Sequence, residues 1–315
     1  VKTDSLVRGV LAGSVRDVGR AVSRAERGGE ELATLIREIF PATGRAKILG
    51  VTGPPGAGKS TLVSLMARAL RREGLRVGIV AVDPSSPYSG GAILGDRIRM
   101  IDLYTDPGVF IRSMATRGAL GGLARATIDA VDILDAAGYE RIFIETVGVG
   151  QDEVDVVRAA DSVAVVLVPG LGDDIQALKA GILEIADVFV VNKSDREGSD
   201  RAVAELAMTL DLSPQNGWRP PIVRTVATRS EGIEQTLTSL QGHLSYLAES
   251  GQELQRRQDR AKARLRALLE GKFFGEIEAE AGHPEGLEDA VKRVSRREID
   301  PYSAAARLFE RFRER

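Results

Sequence analysis

Ile48-Leu49-Gly50-Val51-Thr52 runs directly into Gly53-Pro54-Pro55-Gly56-Ala57-Gly58-Lys59-Ser60-Thr61, and helical patterning begins at Ser60. The stretch Gly53–Ser60 fits G-x-x-x-x-G-K-[ST], the phosphate loop. An apolar strand, a glycine-rich turn and a helix in that order curl backbone N–H groups around phosphate oxygens, with the positive end of the helix dipole behind them. Lys59 then reaches the β and γ phosphates, and the Ser60 hydroxyl is placed to ligate magnesium. A Gly/Pro-rich turn with a surface lysine would need neither flank, and both are present. Residues Gly53 to Thr61 are therefore the candidate cradle for a nucleoside triphosphate.

Outward from this loop, β-rich segments alternate with helical ones at Ile48–Thr52, Val77–Val82, Val109–Ser113, Arg141–Thr146, Ser162–Val168, Val188–Asn192 and Ile222–Thr225. That alternation predicts an α/β fold, a mostly parallel central sheet flanked by helices on both faces. Runs such as Val163-Ala164-Val165-Val166-Leu167-Val168 are apolar throughout, as burial on both faces requires. Loops after the C-terminal ends of the strands should line the site. Before the sheet, apolar positions at Leu6, Val7, Val10, Leu11 and Val15, then at Leu32, Leu35, Ile36 and Ile39, predict two helices. From about Glu231 the strands stop, and helical patterning covers Gly232 to Ala248 and Gln252–Leu269. We expect an N-terminal helical extension over 1–42, a nucleotide-binding domain over 43–248 and a C-terminal helical arm over 249–315, suited to dimerisation.

With 43% hydrophobic and 28% charged residues in 315, the chain reads as globular. A net charge of −2 exerts no global pull on nucleic acid or anionic membrane. Locally, Arg256, Arg257, Arg260, Lys262, Arg264 and Arg266 meet few acids in sequence; they read as a solvated helix face or a partner surface. No aromatics interleave with them, so nucleic acid is not an expected partner. No apolar run nears the ~20 residues of a membrane span, and no signal-peptide segment follows Val1. The expected location is the cytoplasm, with the mitochondrial matrix open as an alternative because the chain starts without Met. The absence of cysteine and the presence of only two histidines, His243 and His283, remove the usual apparatus for soft metals. Both histidines are expected to pack or to face solvent, without a catalytic part.

Asn192-Lys193-Ser194-Asp195 closes an apolar strand where a parallel sheet presents ligand-binding residues. In N-K-x-D, the aspartate accepts from the ring N–H and exocyclic amine of guanine together, and adenine would leave that carboxylate unmatched, at a cost of about several kcal/mol. Further base contact is expected from Ala227 and Thr228, after the last strand. Glu145-Thr146-Val147-Gly148 ends another strand, where phosphate-loop enzymes set an acid near magnesium and a glycine N–H at the γ phosphate. Val149 stands where a glutamine often positions the attacking water, so intrinsic hydrolysis should be slow, with Gln151 as the nearby substitute. Asp83 and Asp96 either cap local turns or join Ser60 and Glu145 in an oxygen shell suited to magnesium. Pro169-Gly170-Leu171-Gly172-Asp173-Asp174 with Gln176 and Lys179 reads either as helix capping or as a loop able to change conformation.

Taken together, Gly53–Ser60, Val82-Asp83-Pro84-Ser85-Ser86, Glu145–Gln151, Pro169–Asp174, Asn192–Asp195 and Ile299-Asp300-Pro301-Tyr302 resemble the MeaB/ArgK family over nearly the whole chain. These are phosphate-loop GTPases of the SIMIBI class, in the branch with glutamate at the magnesium motif, and chaperones of adenosylcobalamin-dependent acyl-CoA mutases. The resemblance implies magnesium held by Ser60, Asp83, Asp96 and Glu145, catalytic roles at Lys59, Glu145 and Gly148, and nucleotide-responsive switches around Asp83–Arg99, Gly148–Glu153 and Asp173–Lys179. It also implies a homodimer, and GTP-gated delivery of adenosylcobalamin from an adenosyltransferase to a mutase such as methylmalonyl-CoA mutase. Cobalamin itself has no recognisable motif here. The family's usual serine-alanine-leucine base loop is replaced by Val226-Ala227-Thr228. Two alternatives share the nucleotide machinery: a GTPase for nickel or other metal insertion, which the missing Cys and His disfavour, and a transport-associated ATPase or kinase, which N-K-x-D disfavours.

Overall fold

The structure, a computed structural model, describes residues 3–83, 100, 102–115, 122–146, 159–170, 182–212, 217–279 and 286–313. Its seven strands form one sheet in the order β3-β2-β4-β1-β5-β6-β7, with β1 Lys47–Thr52, β2 Val77–Asp83, β3 Val109–Ala115, β4 Arg141–Thr146, β5 Ser162–Leu167, β6 Val188–Asn192 and β7 Ile222–Thr225. Every pairing is parallel, a stronger outcome than the expected "mostly". From β1 the chain moves outward to β2 and β3, returns to β4, and then crosses to β5 on the other side of β1. β1 therefore lies at the point where strand order reverses, and its C-terminal end opens a crevice.

Side chains alternate between the two faces, as the pleat demands. On one face Ile142 and Ile144 join Val80 and Val82 in a core with the N-terminal helices and α5, Gly122–Ala136. On the other, Phe143, Val77 and Ile79 pack with Leu49 and Val51 against α4, Lys59–Arg72, and the helix Ile233–Glu249. A third cluster joins Val163, Val165, Phe189 and Val191 to Leu206 and Leu210 of the helix Ser199–Leu212.

The N-terminal segment forms three helices rather than two: α1 Thr3–Leu11, α2 Val15–Arg27 and α3 Glu30–Ile39. Two local features cut the apparent pair. Gly13 adopts φ 71 and Ser14 caps α2, and Gly28 and Gly29 at φ 70 and 91 separate α2 from α3. The middle helix buries Val18, Ala21, Val22 and Ala25, small side chains that give a weak apolar signal in sequence. Arg112 of β3 pairs with Glu26 and reaches Ser23, tying α2 to the edge strand.

At the N-terminal end of the sheet, carboxylates clamp the strand entries. Asp135 accepts from the backbone N–H groups of Gly44, Arg45 and Ala46, Asp161 from Ile48 at 2.8 Å, and Asp187 from Val163 at 2.9 Å. Such N–H groups, otherwise left outside the ladder, are costly to bury unpaired. His243 packs here, as expected. It lies 3.2 Å from Asp187 and 3.0 Å from Ser162, under the ring of Trp218. The neutral tautomer with its proton on Nε2 donates to Asp187 and accepts the Ser162 hydroxyl.

Following helices in chain order, α6 is Ile182–Ile185, α7 Ser199–Leu212, α8 Ile233–Glu249, α9 Gln252–Ala279, α10 Leu287–Ser295 and α11 Pro301–Arg313. α9 continues past Leu269, where the sequence pattern ends, because Gly271 and Gly275 weaken a helix by only about 1 kcal/mol each. The basic run on α9 finds acids after all. Arg256 forms a forked pair with Asp187 at 2.7 and 3.1 Å, while Arg257 and Arg266 pair with Glu253 and Glu270 one turn away. The first partner is far away in sequence and invisible to a charge count.

The chain divides into two compact units, Val1–Arg257 and Gln258–Arg315. In the second, Phe273 stacks near Phe274 and Phe309, and α11 starts with Pro301 after Asp300, whose carboxylate accepts from the N–H groups of Tyr302 and Ser303 at 3.0 Å. Leu265, Leu268, Leu269, Phe274 and Phe309 of this unit are exposed. Among the described residues no helix is long and apolar enough to cross a membrane.

Burial holds the His243 imidazole down at about 4; the Asp187 carboxylate opposes this and Arg256 reinforces it. The unfolded chain takes up a proton near 6.5, so this contribution to stability is complete above that pH and is lost as pH falls toward 4. Urea unfolding between pH 7 and 4.5 should show a slope from this one proton that reaches about 1.4 kcal/mol per pH unit around pH 5 to 6. The His243→Gln variant should lack that component.

Candidate functional site

The crevice at the end of β1 is built by backbone before side chains. Gly53, Gly56 and Gly58 adopt φ 142, 75 and 92, a region open to glycine at little cost. A Cβ at Gly53 would stand 2.1 Å from the Val166 carbonyl oxygen of β5, and one at Gly58 would stand 2.4 Å from the Asn192 amide nitrogen. These two glycines are thus demanded by conformation and by neighbours. α4 begins at Lys59 with Gly58 as N-cap and no side-chain cap, which leaves its first-turn N–H groups available to phosphate oxygens.

Lys59 is buried, and its ammonium donates to the carbonyls of Gly53 at 2.8 Å and Pro54 at 2.9 Å. The cation is held over the loop it must serve. Ser60 donates its hydroxyl proton to Glu145 Oε1 at 2.5 Å, both side chains being buried. The register that pairs Val51 with Glu145 across β1 and β4 brings them together from distant sequence positions. This pair of hard oxygen donors beside a phosphate cradle suits a magnesium ion. Asp83 ends β2, on the far side of β4 from β1, and its side chain lies outside the described residues. Asp96, Gly148, Gln151, Asp173, Asp174, Gln176 and Lys179 also lie outside them. Among the described residues no group of three or more His, Asp or Glu is arranged to hold a metal ion.

The expected base-reading segment stands two strands from β1, at the end of β6. Asn192 is buried there, and both polar atoms of its amide have protein partners. It donates to the Ala57 carbonyl at 2.7 Å, and its oxygen accepts from the Thr225 hydroxyl at 3.0 Å and the Ala227 N–H at 3.2 Å. Lys193, at φ 57, donates to the Gly56 carbonyl at 2.8 Å. Pro54, Pro55 and Thr61 complete the cradle segment, and Thr228 follows Ala227 in the short 3-10 turn Ala227–Arg229 after β7. Asp195 remains accessible beside that turn, 3.7 Å from the Arg229 guanidinium. Hydrogen bonds of Asn192 and Lys193 therefore hold the phosphate loop, Asn192–Asp195 and the turn at Ala227 next to one another. Sequence reading passed over Thr225 and Arg229; a hydroxyl residue ending the strand next to the N-K-x-D strand was the available signal for Thr225, whereas Arg229 required the turn geometry.

A family model described as methylmalonyl-CoA mutase-associated GTPase MeaB matches residues 18–281. A protein of Pyrococcus abyssi that carries a GTPase name is 50% identical over 306 residues, covering 96% of this chain and 94% of that protein. GTPase ArgK of Escherichia coli is 34% identical, covering 88% and 85%, and the mouse mitochondrial methylmalonic aciduria type A homolog is 35% identical, covering 85% and 66%. A crystal structure titled LAO/AO transport system kinase superposes with a TM-score of 0.74 at 26% identity, covering 99% of this chain and 97% of that one. Strand order, the glycine-built cradle and these similarities agree: the chain is a phosphate-loop GTPase and belongs to the MeaB family of methylmalonyl-CoA mutase-associated GTPases.

Proposed function

We propose that GTP binding and hydrolysis by this chain gate the delivery of adenosylcobalamin from an adenosyltransferase to an acyl-CoA mutase, and the protection of that mutase, in the cytoplasm. The observation that carries the reading is the match of residues 18–281 to a family named for association with methylmalonyl-CoA mutase. The absence of cysteine from the chain speaks against metal insertion as its task.

Hydrolysis is attack of water on the γ phosphorus with departure of GDP, and the protein's contribution is placement and charge. Lys59 exchanges its loop carbonyls for β and γ phosphate oxygens, while the loop and α4 N–H groups fix the phosphate geometry. Ser60 and Glu145, with Asp83 and Asp96, are the residues that would hold magnesium, which when bound neutralises phosphate charge. Gly148 donates its N–H to the γ phosphate, and Gln151 orients the water. Asp195 reads the guanine edge, supported by Lys193, Ala227 and Thr228. Asp173, Asp174, Gln176 and Lys179 report nucleotide state to the mutase, with cobalamin as the cargo of the partner system. The exposed Leu265, Leu268, Leu269 and Phe274 of the C-terminal unit support self-association through the arm.

Asp195→Asn should lower GTP affinity by about a hundredfold and shift preference toward xanthosine triphosphate, whose C2 carbonyl accepts from the new amide. Competition against fluorescent GDP measures both, and an unchanged preference would remove Asp195 from the base site. Lys59→Ala should lower kcat by about a hundredfold or more. Added acyl-CoA mutase should bind the GTP-loaded protein and accelerate hydrolysis. Absence of both binding and acceleration with methylmalonyl-CoA mutase and its relatives would overturn the chaperone role, and faster turnover of ATP than GTP would favour the transport-associated reading.

A further inference from the structure

We propose that Arg229 acts through Asp195 as a displaceable counter-ion, holding the base-reading carboxylate between nucleotides and thereby setting how long a guanine nucleotide stays bound. The inference rests on the assignment of Asp195 to the base. Its own support is the placement of Arg229. The guanidinium lies 3.7 Å from Asp195 Oδ2, with the side chains 60% and 35% exposed. That separation is an ion pair without a short hydrogen bond, so it is weak and exchangeable in solvent.

The two loops are locked so that these side chains face each other. Ser194 N–H donates to the Thr225 carbonyl at 3.0 Å, and the Asn192 oxygen grips Thr225 and Ala227. Beyond the turn, Val226 and Glu231 form an antiparallel bridge, Ser230 turns the chain at φ 59, and Gly232 passes so close that a Cβ there would meet the Arg224 oxygen at 2.2 Å. Lys193 and Ser230 are two of the three non-glycine residues at positive φ among the described ones, and they flank this pair. Strained backbone held by its surroundings on both sides of one ion pair marks a geometry the fold maintains. Lys193 is turned to the Gly56 carbonyl, and among the described residues Arg229 is the cation paired with Asp195.

Guanine offers Asp195 two neutral donors, and the one that takes Oδ2 must replace the guanidinium there. Binding therefore works against the ion pair, and release is assisted when the pair re-forms. Removal of the competitor should tighten binding. On the full-length protein, Arg229→Ala should bind fluorescent GDP about two- to five-fold more tightly, mainly through slower release. Arg229→Lys should fall between Arg229→Ala and wild type. In an Asp195→Asn background, Arg229→Ala should have no further effect, because the pair is already gone. Weaker or unchanged GDP binding by Arg229→Ala, as base stacking by the guanidinium would give, overturns the proposal. So does an equal effect in the Asp195→Asn background. Wild-type binding of ADP as tight as GDP would be a different failure: it would remove the base-reading role of Asp195 and this inference with it.

Discussion

The Asn192 carboxamide donates to the Ala57 carbonyl at 2.7 Å and accepts from the Thr225 hydroxyl and the Ala227 N–H at 3.0 and 3.2 Å. Segments 135 residues before it and 33 to 35 residues after it are thereby held at fixed spacing by one buried side chain. A nucleotide needs that spacing, because its phosphates and its base are read by different loops while its ribose sets the distance between them. A buried amide with every polar atom satisfied is rigid, and losing one partner costs about 1–3 kcal/mol per stranded group. Gly58 belongs to the same constraint, since a Cβ there would strike this amide. Within this one segment Asn192 is buried and spaces the loops, while Asp195 stays accessible beside the turn Ala227–Arg229.

The opposite end of the sheet has a complementary chemistry. Asp135, Asp161 and Asp187 pin the entries of β1 and β5, and Arg256 joins Asp187 to the first turns of α9. The strands are anchored by satisfied charge where they begin and carry glycine-rich loops where they end. The same strands therefore combine a stiff frame with adaptable ligand loops, which suits a nucleotide switch. The buried histidine serves the anchored end. Its neutral form links Ser162 to Asp187, and a histidine held near 4 stays uncharged at physiological pH.

In this arrangement the GTPase machinery is general and its use is particular. At the phosphate loop Lys59 lies over its loop carbonyls and Ser60 against Glu145, a cation and a pair of hard oxygen donors held in buried positions. What distinguishes this chain from other phosphate-loop proteins lies in the glutamate at position 145 and in the relationship to proteins named for a mutase.

The fold and the phosphate loop were legible because their causes are local. Val163 to Leu167 is apolar at every position, so it must be buried on both faces; Gly53, Gly58 and Lys59 occur at spacings that only a phosphate cradle requires. All seven strands lie where alternation of pattern placed them, within a few residues at their ends. The helix Val15–Arg27 escaped because it buries alanines and valines, whose periodicity is faint, and α9 ran on because two glycines cost too little to stop it. Arg256 was taken with its basic neighbours, although its partner Asp187 lies 69 positions away. Sequence by itself determined the class of ligand, since motif chemistry is written in consecutive residues. Only the tertiary structure decided how Asn192 spaces three loops, why His243 is uncharged and which cation faces Asp195, because those depend on groups that meet through the register of a parallel sheet.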